Sequence, residues 1–263
     1  MQPVRFSIID YLNALPLNMA FKDGLFGGDA ELVFDYPSQC ADNLATGKAD
    51  VGLISSIEYQ RIPNLKVAPG ICIASREEVR SVLILTRKDL ADVKVVALDR
   101  FSRSSVALLR VLLHRRYGKR PFFVTMSPDA DAMLEEADAA LIIGDAALAL
   151  EDGDYMTMDL AEEWFKETGL PFVFAFWAIR QDCATRDVAE MLLKAKHYGQ
   201  DQIPKRIADI QARWPLAEAE IHDYFTRNIH YDMGDEEIES LQRFYALAAE
   251  AGLIREIKPL TFA

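Results

Sequence analysis

Small polar side chains stand at three places in this chain where an α/β protein presents groups to a ligand. Asn13 follows an apolar run at Val4–Ile9, Ser55 and Ser56 follow one at Asp50–Ile54, and the pair Ser104-Ser105, preceded by Ser102, follows one at Val93–Leu98. Ser81 opens a fourth β-prone run, Arg80–Arg87. In an open α/β sheet, ligands bind beyond the carboxyl ends of the strands. The helix N-termini found there offer unpaired N–H groups to an anion, and hydroxyls add further donors. Two such junctions facing each other across a cleft would receive a small carboxylate.

Each group also has a purely local role open to it. Ser55-Ser56-Ile57-Glu58 fits the S-x-x-E capping box, and Ser102 or Ser104 fits the N-cap of a helix ending at Gly118. Asn13, close to Pro16, also suits a turn. Ser81 is harder to place locally. A hydroxyl at the head of a buried strand must find a partner or cost ~1–3 kcal/mol in desolvation. Tyr11, Arg80 and Asp145 are weaker candidates, for which salt bridging or surface solvation is an equally good account.

Other chemistries find no support. His114, His197, His222 and His230 are scattered and never fall in metal-ligand spacing, and His114 beside Arg115 and Arg116 suits the negative end of a helix. The chain contains no GxGxxG, GxxxxGK[ST] or GxSxG motif. No metal and no cofactor is expected.

The elements that must position these groups alternate in type. Val4–Ile9, Glu31–Tyr36 and Asp50–Ile54 read as strands. Helical segments at Pro16–Lys22 and from Pro37 through Leu44 separate them, closed by Gly24 and Gly47. A second β-α-β-α-β unit runs from Val93 to Ile143, with helices at Ser104–Tyr117 and Pro128–Glu136. Long β-prone stretches, Arg80–Arg87 and Pro171–Arg180, flank that unit, and helices at Asp187–Tyr198, Ile203–Trp214 and Asp235–Ala251 follow. The pattern predicts two α/β lobes joined by a two-stranded hinge, with a cleft between them. Residues 1–88 with 178–263 are expected in one lobe and 89–177 in the other.

Composition agrees with this. The chain has 263 residues, against a prior of ~150 per domain, and its 51% hydrophobic and 27% charged residues are ordinary for a globular protein. Lys+Arg 29 against Asp+Glu 41 leaves a net charge of −12, which disfavours nucleic acid and anionic lipid as partners. Cys40, Cys72 and Cys183 are far apart and odd in number, which suits a reducing compartment. No apolar run approaches the ~20 residues of a membrane span. The opening MQPVRFSIIDYLNALP breaks any signal-like stretch with Asp10, Asn13 and Pro16, so a cytoplasmic location is expected.

These residues also resemble a known family. The stretches YLNALPL (11–17), PSQCADNLATGKADVGLISSIEY (37–59), GICIASREEVRSVLIL (70–85), VVALDRFSRSSVALLRVLL (95–113), DAALIIGDAALAL (138–150) and DLAEEWFKETGLPFVFAFWAIR (159–180) are similar, in order, to the menaquinone biosynthesis enzymes of the futalosine route. The similarity is to their chorismate dehydratase branch. It implies a type II periplasmic-binding-protein-like fold and loss of water from chorismate to give 3-[(1-carboxyvinyl)oxy]benzoate. The family's important Asn and Ser carry over onto Asn13 and Ser81 as catalytic residues, and its anion-binding Ser/Thr positions onto Ser55, Ser56, Ser104 and Ser105. The family more often has Thr-Ser where this chain has Ser104-Ser105, which keeps a hydroxyl. Tyr11, Gly144 and Asp145 complete the expected substrate-binding set, and Asp145 stands beside the substrate's own enolpyruvyl carboxylate as a candidate base.

Two rival readings accompany the resemblance. A sister enzyme of the route, acting on cyclic dehypoxanthine futalosine, carries a catalytic His where this chain has Gly144, and its SPCPND-type opening is replaced here by IDYLNALP. A non-catalytic solute-binding protein of the same fold would need export, for which no signal segment is read.

Overall fold

The computed structural model describes residues 3–151 and 153–263. In the first part, β1 (Val4–Ile9) leads through a short turn into α1 (Leu15–Lys22), then β2 (Ala30–Asp35), α2 (Pro37–Ala45) and β3 (Val51–Ser55). β1 pairs parallel with both β2 and β3, as β-α-β connections require. All five residues of β3 are buried, which explains its almost wholly apolar sequence. A single helical turn, α3 (Glu58–Arg61), and two three-residue strands, β4 (Leu65–Val67) and β5 (Ile73–Ser75), follow.

The chain then crosses to a second sheet. β6 (Val82–Thr86), β7 (Val95–Asp99), α4 (Ser104–Tyr117), β8 (Phe122–Met126), α5 (Ala130–Glu136), β9 (Ala139–Ile143), α6 (Gly144–Leu148) and β10 (Met156–Asp159) build it in the order β10-β6-β9-β7-β8. Helix α7 (Leu160–Thr168) carries the chain back to β11 (Phe172–Arg180), which inserts antiparallel into the first sheet, order β2-β1-β3-β11-β4, with β5 also on β11. The helical tail is α8 (Arg186–Gln202), α9 (Ile207–Arg213), α10 (Glu218–Asp223) and α11 (Asp235–Glu250). Helix α8 lies tightly on α1. A Cβ on Gly199 would fall 1.7 Å from the Pro16 carbonyl oxygen, so only glycine permits that approach.

Sheet membership corrects the expected hinge and both lobe boundaries. Neither β-prone stretch spans the two sheets: β6 lies wholly in the second, and all nine residues of β11 belong to the first. The crossings are instead the segment 76–81 and helix α7 with its exit, 160–171. Arg80 accounts for the first difference, because its φ of 62° is left-handed and ends extended pairing before Ser81. The second follows from pairing, since β11 keeps register with β3 from Ala175↔Ser55 to Ile179↔Val51. Residues 82–88 therefore move to the second lobe and 172–177 to the first.

One large apolar core runs under both sheets and between them, with Trp164, Trp177, Phe172 and Phe176 among its largest buried side chains. A smaller cluster around Leu85, Met133 and Ile142 packs on the other face of the second sheet. Among the described residues, no helix is long and apolar enough to cross a membrane.

Candidate active site

The carboxyl ends of β1, β3, β7 and β9 converge with the 76–81 crossing on one pocket holding about 530 Å³ of empty space, part of it open to solvent. Tyr11, Asn13, Ser55, Ser81, Ser104, Ser105 and Gly144 all line it, so seven of the nine residues singled out by sequence meet there. Apolar walls come from Ile9, Ile73, Val79, Val82, Ile143 and Phe174.

Asn13 sits in the 3-10 turn Leu12–Ala14, directly after β1. The Tyr231 hydroxyl donates to its backbone oxygen at 2.8 Å, while its side-chain Oδ1 is buried with no partner among the described residues. Such an unpaired amide oxygen favours a ligand that brings its own donor. Ser81 is 1% exposed, and its Oγ accepts from the Tyr224 hydroxyl at 2.8 Å. The Ser81 proton is thereby left to donate elsewhere. Burial pushes the Tyr224 phenol well up, so it remains a donor.

The backbone before Ser81 is fixed by Asp159, the N-cap of α7. Its carboxylate accepts from the N–H groups of Val79 at 2.9 Å and Arg80 at 2.6 Å, and from those of Ala161 and Glu162. Burial nevertheless pushes this carboxyl up to about 6. Gly144 N–H donates to the Ser81 carbonyl at 2.7 Å, tying the start of α6 to the same strand end.

The serines divide into two kinds. Ser56 is fully buried, donates from Oγ to the Val173 carbonyl at 2.8 Å, and pairs with Ser104 Oγ at 3.0 Å. With the Ser56 proton committed, Ser104 is the donor in that pair, and it also accepts from Ile57 N–H at 3.1 Å. Both hydroxyls are therefore spent in a strut between the sheets, and Ser56, expected to bind substrate, does not line the pocket. Ser55 and Ser105 make no side-chain hydrogen bond among the described residues, and Ser102 Oγ is buried without a partner. The local capping roles are not realised. Helix α3 starts after Ile57 and α4 after Arg103, neither with a side-chain cap. The first turn of the 14-residue α4 thus faces the pocket with free N–H groups, as anion binding requires.

Asp145 is a correction. It does not line the pocket; its carboxylate accepts from Leu12 N–H at 2.9 Å and from Trp214 Nε1–H at 2.7 Å. Burial pushes the carboxyl up against those two bonds. These two bonds join α6 to the turn after β1 and to the tail after α9. The rim is closed further by Tyr36 stacked on Phe101, ring centres 4.0 Å apart, and by Arg103 bridging to Asp42 and Glu58.

Gly144 has φ +63°, and a Cβ there would stand 2.9 Å from the Tyr11 ring. Glycine is what allows Tyr11 to lie across the pocket floor. Burial first, then the Asp99 and Asp145 carboxylates, push the Tyr11 phenol up and keep it neutral. Among the described residues, no cluster of three or more His, Cys, Asp or Glu is arranged to hold a metal.

A family model described as menaquinone biosynthesis matches residues 4–250. The chain belongs to the menaquinone biosynthesis family. It is 26% identical over 261 residues to a Thermus thermophilus protein named chorismate dehydratase, covering 93% of this chain and 94% of that one. A Campylobacter jejuni protein of the same name is 29% identical over 245 residues, covering 91% and 95%. Among solved structures, the Escherichia coli periplasmic aliphatic sulphonate binding protein SsuA superposes with a TM-score of 0.67 at 18% identity, covering 97% of this chain and 94% of that one. This member of the menaquinone biosynthesis family therefore has the periplasmic-binding-protein fold, with two α/β lobes around the cleft.

One participant in this family member's site escapes sequence reasoning. Tyr224 arrives from a π-helical turn, Tyr224–Asn228, some 143 residues after the serine it touches, and no local pattern marks it. Ser102, read from sequence either as a group at a strand end or as a helix cap, stands with its hydroxyl unpartnered at the pocket wall.

Proposed function

We propose that this chain is a chorismate dehydratase, a hydro-lyase that converts chorismate to 3-[(1-carboxyvinyl)oxy]benzoate and water. The named relatives support this, and one observation on the site carries it. Among the described residues, the pocket wall offers hydroxyls, an amide and a phenol, but no Asp, Glu, His, Lys or Arg. Such a wall supplies no strong base. The proton on ring carbon 3 is then taken by the substrate's own enolpyruvyl carboxylate. The electron pair of that C–H bond completes the aromatic ring as the hydroxyl on ring carbon 4 departs. Hydroxide and the transferred proton together make the water released.

Aromatisation is strongly downhill, so positioning contributes most of what the protein must supply. In this mechanism Asn13 holds the side chain over the C–H bond, and Ser81 donates to the leaving oxygen because Tyr224 already donates to Ser81. The uncapped start of α4, with Ser105 and Ser102, anchors the ring carboxylate. Tyr11 covers the ring, and Tyr36 stacked on Phe101 narrows the access of water. An uncharged wall serves this chemistry well, since a nearby cation would lower the basicity of the carboxylate that acts as base.

The sister reaction on cyclic dehypoxanthine futalosine is disfavoured, because a histidine at position 144 would collide with Tyr11 as it lies here. A non-catalytic anion receptor of the same fold would hold chorismate and leave it unchanged. We place the protein in the cytoplasm, where its three free cysteines stay reduced. Incubating the purified chain with chorismate and following ring protons by NMR tests the proposal. Four aromatic protons of a 3-substituted benzoate are expected, and unaltered chorismate would reject it.

A further inference from the structure

A second cavity, with about 620 Å³ of empty space, lies near the opposite end of α4. Its polar lining is entirely basic: Arg61, Arg110, His114, Lys119 and Arg120. This is unexpected in a chain whose 41 acidic residues outnumber its 29 Lys and Arg. Arg115 and Arg116 on the same helix show the usual solution, pairing with Glu167 and Glu163. Among the described residues, Arg110, Lys119 and Arg120 have no carboxylate partner, whereas Arg61 pairs with Glu58 at 2.6 Å.

The cations are also held together. The Arg110 guanidinium lies 4.8 Å from the centre of the Phe123 ring, which fixes its plane. His114 Nδ1 is buried without a hydrogen-bond partner. Burial, and to a lesser extent Arg61 and Arg120, pull the Arg110 guanidinium down from its ordinary value. The wall formed by Ala251–Leu253 at the end of α11 offsets only about half a charge through its helix dipole. A cluster of this kind is relieved by a multivalent anion.

We propose that this cavity is a second binding site, for a small phosphate-bearing anion held by Arg110, Arg120 and His114. Guanidinium forks match phosphate oxygens in pairs, and the His114 imidazole lines the same cavity as a third contact. The cavity takes Arg61 and Ala251–Leu253 from the first lobe and the rest from the second, so an anion there spans both. The acidic remainder of the surface turns away extended polyanions, which leaves small ones.

Isothermal titration of the full chain with pyrophosphate at 0.15 M salt is the test, with each variant checked by circular dichroism. Saturable one-to-one binding is expected, weakened about tenfold or more by Arg110→Gln with Arg120→Gln. The exposed Lys194→Gln and the catalytic-pocket variant Asn13→Ala should bind pyrophosphate within twofold of the parent chain. Absence of saturable binding, or an unchanged affinity in the double arginine variant, overturns the site. Loss of affinity in Asn13→Ala would place the anion in the catalytic pocket and overturn it equally. Citrate binding tenfold tighter than pyrophosphate would overturn the phosphate assignment.

Discussion

Helix α4 connects two concavities that both suit anions and achieve it by opposite means. At its start, neutral donors face an apolar pocket: free backbone N–H groups, the Ser102 and Ser105 hydroxyls, and the Asn13 amide across the cleft. Near its end, four Arg and Lys side chains and the His114 imidazole line one cavity. The difference follows from what each place must do to a bound anion. A site that only binds gains from full positive charge. A site in which the anion's carboxylate must accept a proton loses from it, because a cation within ~4–6 Å lowers a carboxylate pKa by ~1–3 units. In the proposed site the start of α4 anchors the ring carboxylate, and the enolpyruvyl carboxylate meets no full positive charge.

The largest effect expected from breaking this arrangement is at Asn13 and Ser81. Preorganised donors of this sort contribute ~2.7–4 kcal/mol in other enzymes, so Asn13→Ala and Ser81→Ala should each lower kcat roughly 10²-fold or more. KM should change far less, since an interaction made only in the transition state affects kcat and kcat/KM together. Steady-state kinetics with chorismate reads this split, and wild-type kcat in both variants would remove them from the catalytic role.

Tyr224→Phe comes next. It removes the donor that directs the Ser81 hydroxyl, without emptying the space. A loss of about tenfold in kcat at constant KM is expected, and an unchanged kcat would make Tyr224 a packing residue. Ser105→Ala should act the other way, raising KM by about threefold to tenfold while kcat holds, because the N–H groups of α4 still grip the anion.

The remaining effect is on stability rather than turnover, and concerns pH. The Asp159 carboxyl, pushed up by burial to about 6, favours its protonated form in the folded chain. Folded protein therefore binds more protons than unfolded protein between about pH 4 and 6. The stability this contributes is full below that window and is lost as pH rises through 6. At most, the folding constant changes on the order of tenfold per pH unit across it. Urea unfolding from pH 4 to 7 should show that slope in the parent chain, and Asp159→Asn should flatten it.

Local signals made part of this legible in the sequence. Apolar runs and glycine stops marked β1, β2, β3 and the helices between them, most plainly at β3, which is buried on both faces and nearly uniform in composition. Asn13, Ser55 and Ser105 could be found because they follow such runs directly, and Ser81 because a hydroxyl opens a buried one. Contacts between distant segments were not legible. The three-residue strands β4 and β5 are held by pairing with β11 and by bridges to Phe262 and His230, all distant in sequence. The bonds from Leu12 and Trp214 to Asp145 join segments far apart in sequence, which no local pattern announces. Ser56 read as a ligand for the same reason, its strut to Ser104 and Val173 being a tertiary event. The cationic cavity gathers Arg61, Arg110 and Arg120 from separate segments, and nothing short of the fold brings them together.

The central claim is that the protein positions and the substrate supplies the base. Chorismate monoesterified at the enolpyruvyl carboxylate tests it most directly, once competition against chorismate shows that the ester occupies the pocket. With that carboxylate neutralised, turnover to the aromatic product should fall below detection, while the ester of the ring carboxylate should still react at a raised KM. Aromatisation of the enolpyruvyl ester at a kcat near that of chorismate would show that a protein group takes the proton, and the account would fail.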